Sequence, residues 1–349
     1  TDIDKPSDYF NTKLYTGNDT DDHTITGVNF QPDFVWIKSR SVANNHNLYD
    51  VIRGVNKPLK SNSSASEFTR TDALKSFDSD GFTLDDDATS DEVNNNGVTY
   101  ASWNWKAGTS FTNDASSTGI GSLDSTGSVN NDAGFSIVSY TGNTTAGATI
   151  KHGLSTKPDV IICKARQNSG GAIEWVVYHK GIPTPQNNTL TLNSTAAKVD
   201  RTIAWNDTAP TSSVFSVGTW VGTNAAVPMI AYVFSEKKGY SKFGGYTGNG
   251  NANGVFCFTG MKVGWLMIKR TDSSSNWTMI DNKRDAYNVR NTQLVANGNG
   301  AEFTETVCDF LSNGFKIRAV HGGYLNASGG NYIYMAFAEN PFVTSTGVP

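Results

Sequence analysis

The chain has 349 residues, of which 37% are hydrophobic and 17% charged, with 34 Gly, 13 Tyr and 18 Phe. That length exceeds what one hydrophobic core usually fills, and the aromatic content supplies enough burial to exclude a disordered chain. A net charge of −4 gives no electrostatic reason to approach a phosphate backbone, so nucleic acid is not an expected partner. The longest apolar runs, Val160 to Cys163 and Val227 to Phe234, fall far short of the roughly 20 residues that span a bilayer, and no membrane insertion is expected.

The chain opens Thr1-Asp-Ile-Asp-Lys-Pro6, without Met or a basic-then-apolar leader, which reads as a piece of a longer chain or a processed one. Tyr15-Thr-Gly-Asn18 comes first. An apolar strand at Phe34-Val-Trp-Ile37 follows, closed by Lys38, and its unbroken run suits a strand covered on both faces. Ser64 with Glu67 three later has capping-box spacing and predicts a short helix. Asp80-Gly81 predicts a tight turn into Phe82, and Ala101-Ser-Trp-Asn-Trp105 ends the series.

The same series recurs twice. Tyr140-Thr-Gly-Asn143, Pro158 to Lys164, Val214 to Val217 and Ala231-Tyr-Val-Phe234 form the second. Tyr246-Thr-Gly-Asn249, Val263 to Lys269, Phe310 to Phe315 and Tyr334-Met-Ala-Phe337 form the third. Lys38 precedes Trp105 by 67 residues, Lys164 precedes Phe234 by 70 and Lys269 precedes Phe337 by 68, a regularity that chance does not give. Short runs bounded by Gly, Asn, Asp and Ser outnumber helix signals. The expected fold is therefore all-β, three tandem antiparallel β-sandwich-like repeats of about 100 residues with long polar loops. Their bounds are residues 1–108, 134–238 and 239–349. Residues 109–133, rich in Gly, Ser, Thr and Asn, read as a linker or loop that lets the first unit move against the second. Only Glu236-Lys-Lys-Gly239 separates the second and third units, so those two should dock.

Little in the chain points to catalysis. His23, His46, His152, His179 and His321 stand at no metal-ligand spacing, and no nucleophile elbow or phosphate-binding loop occurs. Alignment of the three series places Asp50, His179 and Asp281 at one position. Arg53 follows Asp50 by three residues and Arg284 follows Asp281 likewise, which suits structural ion pairs that pin a strand end to a loop. A glycan hydrolase, needing two carboxylates, would use the same Asp50 and Asp281. Asp85, Asp86 and Asp87, with Asp91-Glu92 nearby, are candidate calcium ligands, calcium being the one candidate cofactor; solvated loop charge is the competing reading. Trp36, Trp103, Trp105, Trp175, Trp265 and Trp277 fall on expected strands, mostly opposite Val, Ile or Phe in another series, and read as core. Trp205 and Trp220 lie outside the series and are the candidates for glycan stacking.

Three groups of phrases resemble the virion proteins of marine tailed bacteriophages. They are Phe30-Gln-Pro-Asp-Phe-Val-Trp-Ile-Lys38 with Tyr49-Asp-Val-Ile-Arg-Gly54, Gly134-Phe-Ser-Ile-Val-Ser-Tyr-Thr-Gly142 with His152-Gly-Leu154, and Asn331-Tyr-Ile-Tyr-Met-Ala-Phe-Ala-Glu339. The resemblance covers nearly the whole chain through packing and turn phrases. It implies a non-enzymatic structural component of the virion surface, a tail fibre or capsid-surface appendage, with no catalytic residues to carry over. Its implied partners are other virion proteins, a host surface glycan or receptor, and further copies of itself as a homo-oligomer such as a trimer. Alternatively, three repeats in one chain supply a pseudo-threefold body by themselves. A carbohydrate-binding bacterial adhesin and a polysaccharide depolymerase are the competing functions.

Overall fold

The computed structural model describes residues 1–90, 92–319, 324–344 and 346; Asp91 and His321 lie outside them. The chain is all-β and its sheets are antiparallel. The first segment holds β1 (Phe10–Thr16), β2 (His23–Thr26), β3 (Phe34–Ser39), β4 (Asn47–Asp50), β5 (Leu74–Asp78), β6 (Gly81–Leu84) and β7 (Thr99–Trp105). Then come β8 (Thr109–Asn113), β9 (Ser125–Asn130), β10 (Phe135–Thr141), β11 (Ala148–Lys151), β12 (Val160–Ala165), β13 (Val176–His179), β14 (Asn188–Thr191), β15 (Val199–Asp200), β16 (Val214–Val217) and β17 (Pro228–Phe234). The last segment holds β18 (Ser241–Thr247), β19 (Phe256–Phe258), β20 (Met261–Arg270), β21 (Trp277–Asp281), β22 (Arg290–Val295), β23 (Phe303–Leu311), β24 (Gly314–Ile317) and β25 (Asn331–Pro341).

Each segment builds one large sheet whose inner strands run in a common order: β1-β7-β3-β4, then β10-β17-β12-β13, then β18-β25-β20-β21. The unbroken apolar strands take central places. β3 lies between β7 and β4, β12 between β17 and β13, β20 between β25 and β21, and both faces of each are buried. The outer face is covered by a smaller set of strands. In the first segment β2-β6-β5 encloses Ile25, Val35, Ile37, Phe82 and Tyr100. In the second, β11-β16 encloses Ile150, Ile161 and Phe215, and in the third β19, β23 and β24 close over Leu266, Cys308 and Phe315.

The inner faces of all three large sheets meet in one shared core that includes Phe34, Trp103, Phe135, Tyr232, Trp265 and Met335. At its centre Trp105, Phe234 and Phe337 form a triangle, with ring centroids 6.5, 5.9 and 5.6 Å apart. Their ladder partners correspond: Trp105 faces Phe34, Phe234 faces Val160 and Phe337 faces Trp265. Aromatic contacts of this kind stabilise by about 0.5–1.5 kcal/mol each beyond the area they bury. The last ring of β7, β17 and β25 therefore ties each segment to the other two.

Two expectations are corrected. Residues 109–133 are not a linker: β8 and β9 pair with each other, and β9 extends the second sheet along β10 from Phe135↔Asn130 to Tyr140↔Ser125. Composition misled because the buried residues of β9, Ser125, Gly127, Ser128 and Val129, include only one apolar side chain. With this hairpin docked and the core shared, the first segment is fixed against the second. Ser64 to Glu67 is irregular and not helical. The Glu67 carboxylate, which would have closed the capping box, is instead gripped by Arg166 through two 2.9 Å hydrogen bonds.

Candidate functional site

Hydrogen bonds from buried polar side chains cross the three joints between segments. At the first joint the Trp175 indole donates to the Lys60 carbonyl at 2.9 Å, and the Tyr232 hydroxyl donates to Asp50 at 2.7 Å. At the second, the Trp277 indole donates to the Thr191 carbonyl at 2.9 Å, and His179 Nε2 lies 3.1 Å from the Tyr334 carbonyl. At the third, His46 Nε2 lies 3.0 Å from the Val295 carbonyl, and the Trp103 indole donates to Asp281 at 3.1 Å. Each segment thus holds the next, and the third holds the first.

Asp50 and Asp281 sit at the ends of β4 and β21, with no side-chain exposure. Arg53 Nε and Arg284 Nε lie 2.6 Å from them, and each Asp also accepts the backbone N–H of its Arg. Burial pushes Asp281 up, but the Arg284 guanidinium, the Arg284 N–H and the Trp103 indole outweigh it and hold the carboxyl below its ordinary range. Burial works against the charge of Arg53, and Asp50 more than reverses that. In the second segment His179 takes this place without an Arg. Its Nδ1 accepts the Gly181 N–H at 3.0 Å, which leaves Nε2–H as the donor to Tyr334, and burial lowers its pKa to about 3. His46 is arranged the same way: Nδ1 accepts the Trp36 indole, Nε2–H points at Val295, and burial with Lys38 nearby lowers the pKa to about 3.

Lys38, Lys164 and Lys269 are all buried and end up at matching ladder positions, opposite Ala101, Ile230 and Ile333. Their ammonium groups donate to carbonyls: Lys38 to Ser39, Lys164 to Ser64 and Ile173, Lys269 to Thr195 and Arg270. Burial lowers each to about 8.

Sequence reading missed the partner of the Tyr-Thr-Gly-Asn phrase, which is a buried asparagine. Asn94 Oδ1 accepts the Asn18 N–H, Asn224 Oδ1 the Asn143 N–H and Asn326 Oδ1 the Asn249 N–H. The hydroxyls of Tyr15, Tyr140 and Tyr246 donate to the carbonyls of Val93, Thr223 and Leu325, the residues just before those asparagines. The glycine is required by close approach. A Cβ on Gly17, Gly142 or Gly248 would lie 2.2, 2.1 or 2.3 Å from a backbone carbonyl oxygen of the facing loop.

The other sequence candidates are placed apart. Trp205 is 1% exposed and packs in the second segment's outer core, its indole donating to the Asn188 carbonyl, so it is not a stacking platform. It was misjudged because the segment around it, polar in sequence, folds as a one-turn helix that turns the ring inward. Trp220 is half-buried and its ring is covered by the Arg201 guanidinium, 3.9 Å from the centroid. Asp85 pairs with Lys75, Asp86 accepts the Ala88 N–H, and buried Asp87 pairs with Arg70 and accepts the Asn94 N–H, so the three carboxylates face different partners. Among the described residues no three His, Cys, Asp or Glu side chains converge to hold a metal ion.

A family model described as a domain of unknown function, DUF7483, matches residues 5–341 as one stretch. The chain belongs to that family. The match runs unbroken through all three segments and both joints of the chain between them. No curated protein and no solved structure matches the chain.

Proposed function

We propose that the chain is three tandem copies of one β-sandwich-like unit closed into a pseudo-threefold body. We propose further that this body is a non-enzymatic structural component of a bacteriophage virion, a tail fibre or surface appendage that contacts other virion proteins. The observation that carries the reading is where the recurring polar residues go. Asp50, Asp281, His179, the three lysines and the three asparagines are buried and bonded within the body. A polysaccharide could not reach Asp50 or Asp281, whose oxygens are already occupied by Arg N–H groups and, across the joint, by Tyr232 or Trp103. The resemblance of the strand phrases to marine phage virion proteins supplies the setting. One chain then provides the threefold shape that a homotrimer would otherwise provide.

Purified particles probed by mass spectrometry and by immunogold labelling against this chain test the proposal. The chain should be found in the particle in fixed stoichiometry with its major proteins; its absence from intact particles would count against the reading. Asp50→Asn should lower stability and leave host polysaccharide unaffected. Release of reducing ends by the parent protein, abolished in Asp50→Asn at a temperature where that variant is folded, would favour a depolymerase instead.

A further inference from the structure

We infer that the outer edge of β1 is a docking site for an extended acidic segment of a partner protein, which adds to the first sheet as an antiparallel strand. β1 is the terminal strand of its sheet, whereas β10, its counterpart in ladder register, has β17 on one side and β9 on the other. The molecule itself therefore displays what occupies this edge: a strand.

The hydrogen-bonding groups are oriented for it. The Lys106 N–H donates to the Tyr9 carbonyl as Ser235 N–H donates to Gly134, so Phe10, Thr12 and Leu14 turn their backbone groups away from β7, as Phe135, Ile137 and Ser139 turn theirs toward β9. Ser136 and Val138 are buried, while Asn11 and Lys13 at the same places are half-buried. Two clefts of about 170 and 400 Å³ run along β1, both lined by Asn11, Thr12, Asn29 and Lys283. Thr12 is 6% exposed, and its Oγ has no hydrogen-bond partner among the described residues. The corresponding edge of β18 is less open, because the Glu236 carboxylate accepts the Phe243 N–H there.

Charge selects the occupant. Lys13 and Lys283 both line the larger cleft; Asp80, which accepts the Gly27 and Asn29 N–H groups, is close enough to Lys13 to feel its charge, but neither lysine has a carboxylate oxygen within 4.0 Å among the described residues. Glu339 on the rim of the smaller cleft is engaged by Lys262 at 3.0 Å. A second copy of β1 pairing about Lys13 would set the two Lys13 side chains against each other, an arrangement that sheet edges use to prevent self-association.

The test is a titration of the isotope-labelled full chain, followed by amide shifts, with two synthetic peptides. One is Ser-Thr-Asp-Thr-Glu-Val-Asn, patterned on β9, and the other has Lys in place of its Asp and Glu. The acidic peptide should shift the Thr12 and Leu14 amides at a concentration about tenfold below the basic one, and Lys13→Glu should invert that order. Lys283→Glu provides the same inversion should Lys13→Glu not fold. Absence of any shift at β1 at millimolar peptide, equal response to both peptides, or dimerisation of the chain through β1 would each overturn the inference. It depends on matched strand registers and on the charges of Lys13 and Lys283, so its failure leaves the virion reading standing.

Discussion

Asn224 illustrates how much one residue can fix. Its side chain accepts the Asn143 N–H at 2.8 Å and donates to the carbonyls of Thr145 and Gly218 at 3.0 and 2.6 Å, joining two loops far apart in the chain. Asn224→Ala removes all three bonds and leaves the buried Gly218 carbonyl unpaired, and the expected loss is about 1–3 kcal/mol, read as a lower urea midpoint with an unchanged β spectrum. Gly142→Ala should destabilise comparably, because its Cβ would meet the rigid Ala225 carbonyl and no side chain can move to relieve it. The buried imidazoles give a pH signature. His46 and His179 are lowered to about 3 and His152 to about 4, all by burial, so the unfolded chain takes up protons near pH 6.5 that the folded chain refuses. Their contribution is complete above pH 6.5 and is lost as the pH falls, down to about 4 for His152 and about 3 for His46 and His179. The slope approaches roughly 1.4 kcal/mol per pH unit for each His. Urea midpoints at pH 7 and 5 should differ accordingly, and His179→Gln should flatten that difference by about a third.

Among the elements, the apolar strands were legible from sequence and the hairpin was not. Phe34 to Ile37, Val160 to Cys163 and the run ending at Lys269 declare themselves because both faces of a central strand are buried, so no polar residue interrupts them. β8 and β9 hide because their buried positions, Val129 apart, are Gly, Ser and Asn, which serve a tightly covered edge as well as they serve a loop. The Asp50–Arg53 and Asp281–Arg284 spacings could be read as ion pairs, but their partners Tyr232 and Trp103 lie in other segments and carry no local signal. Asn94, Asn224 and Asn326 were invisible in a chain so rich in Asn, and the loop after Asn224 is a residue shorter than the others, which breaks their alignment with Tyr100 and Tyr332. The hairpin can be tested directly. A Cβ at Gly127 would lie 2.3 Å from the Ile137 carbonyl and 2.5 Å from the Phe111 ring. Gly127→Val should therefore detach β9, lower stability by about 2–4 kcal/mol and make the Ile137 and Ser139 amides exchange freely.

For the molecule as a whole, the shared aromatic centre and the closed circuit of joint contacts mean that no segment has a complete core of its own. Removing one segment would expose Trp105, Phe234 or Phe337 together with the sheet face behind it, and would break two of the three joints. Scanning calorimetry of the intact chain, with tryptophan fluorescence and amide exchange followed through the same temperature range, is the decisive measurement. A single transition in which all three segments lose structure together is the expected result. Two or three separable transitions, each confined to about a hundred residues, would contradict the interlocked body on which the proposed role depends.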